Sequence, residues 1–381
     1  MHDGFEQYAA EIRRGLNEDI PAAEAAALTL STISAVDLQR KDIAPIRWIV
    51  QDLIPAGLSI LASPPKYGKS WAVLDMGLSV AAGNRFLGYQ TVKSGCLYLA
   101  LEDSERRLKS RLDKLLVERT APDSFYFATS SHDLDNGLIA ELESFLYQHP
   151  DIGLIVVDTF QKVRGAVRGR EANYASDYRE TGMLKAFADA HNIALLLVHH
   201  LRKLGDAEDP FNRISGTNGI AGASDTMMVL TKEKRDDDTA TFSVVGRDVE
   251  SSDTVLRFNK HSCRWENLGD AASIAEQHTR EQYQSNPIVR TVKRLLEQSP
   301  TGWSGTSQDL LSAGMFIGRA RLASSPRELS NALKELSPLL FEYDSIIYTR
   351  ARNGTGGGKH KFSTAVEPTF EDIEISEHDP F

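Results

Sequence analysis

Apolar positions follow two rhythms along the chain. Short unbroken apolar runs occur at Leu58–Ala62, Cys96–Leu101, Leu154–Val157 and Ile193–Val198, each bounded by polar or glycine residues. Runs of that length fit strands covered on both faces of a parallel sheet. Stretches with helical spacing lie between them, at Ser70–Ala82, Ser104–Thr120, Asn136–Gln148 and Arg179–His191. This alternation predicts an α/β fold with a central, mostly parallel sheet. Phe125–Thr129, Asp225–Thr231 and Thr241–Val245 read as further strands, and Val255–Asn259 with Cys263–Glu266 as a closing hairpin.

Beyond residue 268 the rhythm changes. Gly269–Ser285 is polar and helical or linker-like. Ile288–Glu297, Thr306–Ala313 and Pro326–Leu336 read as three helices. Leu340–Tyr343 and Ile346–Arg350 read as strands, and Asn353–Lys361 as a glycine-rich basic tip. Three helices and a two-stranded wing predict a C-terminal winged helix-turn-helix, with 326–336 in the recognition position. The expected organisation is a helical arm over 1–45, the α/β domain over 46–268, a linker over 269–285, the winged helix over 286–363 and an acidic disordered tail over 364–381. Phe5–Leu16 and Ala22–Val36 are the expected helices of the arm.

Composition narrows the class. The 381 residues, 41% hydrophobic and 25% charged, suit two or three globular domains. No apolar run reaches membrane-spanning length, and the N-terminal stretch lacks the apolar centre of a signal peptide. Cys96 and Cys263 form no C-x-x-C pair, which argues against zinc and a disulfide framework. A soluble cytoplasmic chain with no membrane partner is expected. The net charge of −10 argues against a protein that coats nucleic acid indiscriminately. The charge is uneven, however. Residues 286–362 hold 11 Lys/Arg against 6 Asp/Glu, whereas the residues from 364 onward hold 6 acids and no Lys or Arg.

Candidate chemistry gathers where the apolar runs end. Leu58–Asp75 reads as strand, tight loop and helix, the setting of a P-loop. Its nucleotide-cradling candidates are Ser63, Pro64, Pro65, Lys66, Tyr67, Gly68, Lys69, Ser70 and Trp71. Ser63 stands where the pattern has its first glycine; it is small, and the two prolines stiffen the turn. Lys69 is placed to reach the β- and γ-phosphates of ATP, and Ser70 with Asp158 to hold Mg²⁺. Glu102 is the candidate general base for the water attacking the γ-phosphate. The alternative is an acid serving the next helix N-terminus, a role that suits Asp103 better. His199 or His200 is a candidate γ-phosphate sensor; adjacent strand residues face opposite ways, which argues against a two-histidine metal site. Arg247 reads either as a finger onto a neighbour's ATP or as a surface ion pair with Asp248 or Glu250. Trp48 either stacks on a base or packs. Arg164–Tyr178 and Leu201–Gly222 read as long polar loops, the second offering Arg202, Lys203 and Arg213 to nucleic-acid phosphates.

In order, Ser63-Pro-Pro-Lys-Tyr-Gly-Lys-Ser70, Tyr98-Leu-Ala-Leu-Glu102-Asp103-Ser104, Val157-Asp158-Thr159, Asp177-Tyr178-Arg179-Glu180, His199-His200-Leu-Arg-Lys203 and Gly246-Arg247-Asp248 form a specific set. Over residues 45 to 268 the set resembles the RepA-type ATPases of plasmids and phages, RecA-fold relatives of hexameric replicative helicases. The resemblance implies a RecA-like P-loop NTPase core in a ring, often a hexamer, with ATP and Mg²⁺ between subunits. It assigns Lys69 and Ser70 to phosphate and Mg²⁺, Glu102 to catalysis, Asp158 to the Walker B position and the strand-end histidine to coupling with DNA-binding loops. Arg247 lies near the family's finger in trans. The function implied is a DNA helicase or translocase on single-stranded DNA in replication of a mobile element. The alternatives are an ATP-switched helicase loader or regulator and a recombinase-like filament protein. The terminal Glu374–Phe381 is similar to the acidic, Pro-Phe-ending tip of bacterial single-strand-binding proteins. Replication proteins are therefore expected partners through this tip and the winged helix, with a simply solvated tail as the other reading.

Overall fold

The computed structural model describes residues 32–165, 172–201, 209–214, 218–353 and 356–365. The chain divides into two units, residues 1–46 and 47–381. In the first, α1 (Ala35–Arg40) is capped by the Ser34 side chain, which accepts from the Asp37 N–H. The expected helix Phe5–Leu16 and most of Ala22–Val36 lie outside the described residues, as does the acidic tail beyond Ala365.

The second unit is built on a nine-stranded sheet. Its strands are β3 (Gly57–Ser63), β4 (Gly95–Ala100), β5 (Phe125–Ala128), β6 (Ile152–Asp158), β7 (Ala194–His200), β8 (Thr226–Thr231), β9 (Thr239–Gly246), β10 (Ser252–Asn259) and β11 (Arg264–Asp270), after a small hairpin of β1 (Trp48–Val50) and β2 (Ile54–Pro55). The order is β11-β10-β9-β8-β3-β7-β6-β4-β5. The six strands from β8 to β5 run parallel, and β9, β10 and β11 are antiparallel. The fold is thus the mixed α/β, mostly parallel architecture expected of a RecA-like core.

Strand periodicity divides the core. Leu58, Ile60 and Ala62 of β3 join Leu97, Ile155 and Leu197 on one face, under α4 (Leu138–Gln148) and α5 (Ala172–His191). Leu61 joins Tyr98, Val156 and Val198 on the other, under α2 (Lys69–Ala82) and α3 (Glu105–Leu116). Both faces are covered, so the central runs carry no polar alternation. Trp48 packs against the second cluster, which settles its reading as packing.

The polar stretches hold more structure than expected. Helix α5 begins at Ala172, inside the supposed 164–178 loop; residues 166–171 lie outside the described set. Within 201–222 stand a short 3-10 turn (Pro210–Arg213) and α6 (Asn218–Ala223). Arg202 and Lys203 are outside the described residues.

The supposed linker forms α7 (Ala271–Ser285), capped by Asp270 and packed on β10 and β11. A third core then gathers α8 (Pro287–Gln298), α9 (Ser307–Ala313) and α10 (Pro326–Asp344) with a sheet ordered β12-β14-β13, where β12 is Trp303–Thr306, β13 Ile346–Asn353 and β14 Gly356–Thr364. Strand β12 was not foreseen. Leu340–Tyr343 is helical, contrary to the strand expected there. Buried Leu329, Leu333 and Leu340 continue one helical stripe, and this tertiary contact carries α10 past Pro338. The described residues of the glycine-rich basic tip belong to the paired strands β13 and β14. Among the described residues no helix is long and apolar enough to cross a membrane.

Candidate active site at the P-loop

All six parallel strands present their C-terminal ends at one edge, where open α/β sheets collect ligands. Register places Ala100 beside Asp158, Asp158 beside Val198, and Ser63 beside His200. The loop after β3 turns through Lys66, at φ 70°, and Gly68, at φ 96°, before α2 begins at Lys69. A Cβ on Gly68 would sit 2.9 Å from the Trp265 ring, so glycine answers both backbone and space. The Trp265 indole N–H donates to the Gly68 carbonyl at 3.3 Å. Trp265 comes from β11, four strands from β3, and the antiparallel end of the sheet brings it over the loop.

Buried Lys69 donates to the Ser63 carbonyl at 2.7 Å, and its Nζ lies 3.1 Å from His200 Nδ1. Burial pulls its pKa down to about 8, against the opposing pull of Asp158 and Glu102. Burial, and then Lys69, lower the His200 pKa, keeping the ring neutral at pH 7. His200 therefore faces the P-loop lysine. His199, pointing the other way as strand alternation requires, is buried with its ring 6.0 Å from Phe160.

Asp158 is buried at the end of β6. It accepts from the Tyr98 hydroxyl at 2.7 Å and from Ser70 at 3.3 Å. Desolvation raises its pKa in spite of those bonds and of Lys69. Tyr98 is itself held protonated by burial and by Asp158. Glu102, two residues past β4, is exposed and accepts from the Thr159 hydroxyl at 3.3 Å. Asp103 instead pairs with Arg107 and Arg111 of α3, the helix-serving role that suited it.

The donor set fits a nucleotide with Mg²⁺. A buried ammonium and a left-handed glycine at a helix start suit phosphate. A hydroxyl beside a buried carboxylate suits a cation completed by phosphate oxygens and water. Among the described residues no group of three or more His, Cys, Asp or Glu stands ready to hold a metal alone. Cys96 and Cys263 are both free and buried.

Arg247 is not brought to this edge. It follows β9, whose end pairs with the start of β8, and so lies at the opposite edge of the sheet. Seven residues of β3 separate the two edges, roughly 20 Å at strand rise. Its side chain is 59% exposed, 3.5 Å from Asp225. The partner expected from sequence was Asp248 or Glu250. Asp225 also accepts from the Leu58 N–H at 2.9 Å and from Lys185 at 2.7 Å.

Residues 24–206 match the family described as AAA domain. This segment is similar to AAA-type domains. The match contains the P-loop, Glu102, Asp158 and both histidines, and it agrees with the RecA-like, nucleotide-binding reading. A solved structure of an ATPase domain is similar over 56% of this chain and 85% of that one, at 12% identity and a TM-score of 0.46. No curated protein matches the chain.

Tyr98, Thr159 and Trp265 were missed by sequence reasoning. Tyr98 lies inside an apolar run and reads as core. Thr159, next to Asp158, had a signal in its position at the strand end. Trp265 had none, being 197 residues from the glycine it covers.

Proposed function

We propose that the chain is a Mg²⁺-dependent ATP hydrolase that assembles head to tail into a ring, a hexamer by the family resemblance, and moves on single-stranded DNA. The convergence of Lys69, Ser70, Asp158, Glu102 and His200 at one sheet edge carries this reading. In it, Lys69 and the loop from Ser63 to Trp71 hold the triphosphate. Ser70 and Asp158 hold Mg²⁺, which neutralises charge on the β- and γ-phosphates when bound. Glu102 accepts the proton of the attacking water, with Thr159 fixing one of its oxygens. His200, beside Lys69 at the end of β7, senses the γ-phosphate and passes its loss to the segment that follows.

The position of Arg247 favours assembly. An exposed arginine on the far edge cannot reach its own P-loop. A head-to-tail contact joins unlike surfaces, and repeated contacts of that kind form a ring when the rotation closes and a helical filament when it does not. Arg247 then meets the neighbour's γ-phosphate. We read the C-terminal helices and sheet as a winged helix-turn-helix and the acidic tail as a contact for replication proteins of a plasmid, phage or other mobile element.

ATP turnover with and without single-stranded DNA tests the reading. Stimulation of several-fold supports it. Slow turnover indifferent to DNA favours an ATP-switched loader, and a helical filament in place of a ring favours a recombinase-like protein. Mixing Lys69→Ala with Arg247→Ala tests the shared site. Each should be inactive alone and the mixture partly active.

A further inference from the structure

Asp225 stands just before β8 and is clamped to β3 in both directions. Its N–H donates to the Leu58 carbonyl at 2.8 Å, and its Oδ2 accepts from the Leu58 N–H at 2.9 Å. Gly57, at φ 121°, makes room for it, since a Cβ there would stand 2.4 Å from Oδ2. A buried carboxylate fixed in this way needs a cation. Two are in range, and they are held unequally.

Lys185 of α5 donates to both carboxylate oxygens, at 2.9 Å to Oδ1 and 2.7 Å to Oδ2. It also reaches Asp189, one turn on, at 3.2 Å. Arg247 Nη1 stays 3.5 Å from Oδ1, beyond the ordinary N–H···O range. The Arg247 main chain is fixed, because its N–H donates to the Asp225 carbonyl at 2.8 Å. Among the described residues its side chain has one other hold, the Gly222 carbonyl, which accepts from Nη2 at 3.1 Å. The Lys185 side chain is 25% exposed against 59% for Arg247. Lys185 is thus the resident counter-ion, and Arg247 the loosely held one.

We propose that Lys185 is a positioning residue for the step in trans: by satisfying Asp225 it keeps Arg247 free to reach the nucleotide of the neighbouring subunit. This rests on the reading of Arg247 as a finger onto that nucleotide. A finger has to leave the contacts of its own subunit before it meets phosphate. With Lys185 in place, Arg247 gives up one long ion pair and one carbonyl, and Asp225 stays neutralised. Without Lys185, Arg247 is the remaining cation beside the buried carboxylate among the described residues. Its guanidinium then closes on Oδ1 in a charge-assisted bond. Its departure would strand a buried charge, so the finger stays on its own subunit. Lys185 stands at the sheet edge opposite the P-loop and acts only through Asp225.

The test is steady-state ATP turnover by the full chain, with KM for ATP and mass in solution measured alongside. The variants are Lys185→Met, the charge-keeping Lys185→Arg, Lys185→Met combined with Asp225→Asn, and Arg247→Ala, each checked for folding by circular dichroism. Met keeps the stem of Lys185 without its charge, and Asn keeps an acceptor for the Leu58 N–H. We expect Lys185→Met to lower kcat at least tenfold, with KM and mass within about twofold of wild type. Lys185→Arg should stay within about threefold of wild type. Adding Asp225→Asn to Lys185→Met should return kcat to within about threefold, because the neutral amide no longer holds Arg247. A purely structural role for the pair predicts the reverse, a double variant no better than the single one. Arg247→Ala should lower kcat at least a hundredfold. Three results would overturn the proposal and leave the finger standing: Lys185→Met within twofold of wild type, no recovery in the double variant, or a loss as large in Lys185→Arg as in Lys185→Met. A fall in mass in Lys185→Met would assign the residue to the subunit contact itself and overturn it as well. Wild-type turnover in Arg247→Ala would remove the finger reading, and this proposal with it.

Discussion

Lys69 Nζ, from the first residue of α2, stands 3.1 Å from Nδ1 of His200, the last residue of β7. One group is the cation expected to hold phosphate, the other the ring expected to report its loss. Burial lowers the pKa of both, and Lys69 lowers that of His200 further. Binding an anion between them should therefore move protons.

Proton uptake follows from the Lys69 pKa of about 8. Near pH 8 about half of the side chains are neutral before nucleotide binds. A triphosphate restores the charge, so binding should take up about half a proton at pH 8 and close to none from Lys69 at pH 6.8. Calorimetry in two buffers of different ionisation enthalpy reads this directly, and Lys69→Met should abolish the uptake at pH 8.

His200 sets an acid limit. Its folded pKa lies below the ordinary 6.5, so the unfolded chain binds the proton more readily. The neutral ring's contribution is complete above about 6.5 and is lost as pH falls through and below that value. Urea midpoints should decline between pH 6.5 and 5, and the decline should be shallower in His200→Gln.

Tyr98→Phe removes the donor that stabilises the Asp158 carboxylate. The Asp158 pKa should rise further, and the Mg²⁺ concentration giving half-maximal turnover should increase several-fold. Stability should fall by about 1 kcal/mol, the net value of one hydrogen bond. A titration of ATPase activity with Mg²⁺ separates this from a general loss of activity, because saturating Mg²⁺ should recover most of the rate.

Gly68→Ala meets both the left-handed backbone and the Trp265 ring. Backbone strain alone costs about 1–2 kcal/mol. Nucleotide binding should fall at least tenfold while the far edge of the sheet keeps its structure. Quenching of tryptophan fluorescence by nucleotide reports the loop, and circular dichroism the sheet.

Lys185→Ala leaves the buried Asp225 carboxylate with the more distant, exposed Arg247 as its remaining cation. Stability should fall by about 2 kcal/mol, discounted because Lys185 is partly exposed. The Lys185 pKa is raised by Asp225 against the effect of burial, so the pair stabilises below 10.5 and is lost as pH rises beyond it. The deficit of the variant in urea unfolding should therefore be constant from pH 7 to 9.

The central site was legible because its chemistry is local. Ser63 to Ser70, Glu102, Asp158 and His200 each follow directly on an apolar run, and a parallel sheet delivers all such ends to one edge. What stayed hidden depends on distant contacts. The antiparallel strands bring Trp265 to Gly68, a relation no spacing in the sequence records. Arg247 also follows a strand, but an antiparallel one, and so stands at the wrong edge for its own P-loop. The Leu340–Tyr343 segment has strand-like residues, yet the Leu329, Leu333 and Leu340 stripe keeps it helical. The supposed loop at 164–178 became half helix, where Asp177 and Glu180 of α5 hold Arg164 in a buried ion cluster.

The most direct test of the account is single-turnover ATP cleavage by the assembled wild type and Glu102→Gln, with nucleotide affinity and solution mass measured alongside. We predict unchanged mass and affinity within about threefold, but cleavage slowed at least a hundredfold, the scale of general-base catalysis. Cleavage by Glu102→Gln within a few-fold of wild type would contradict the assignment of the base at this sheet edge.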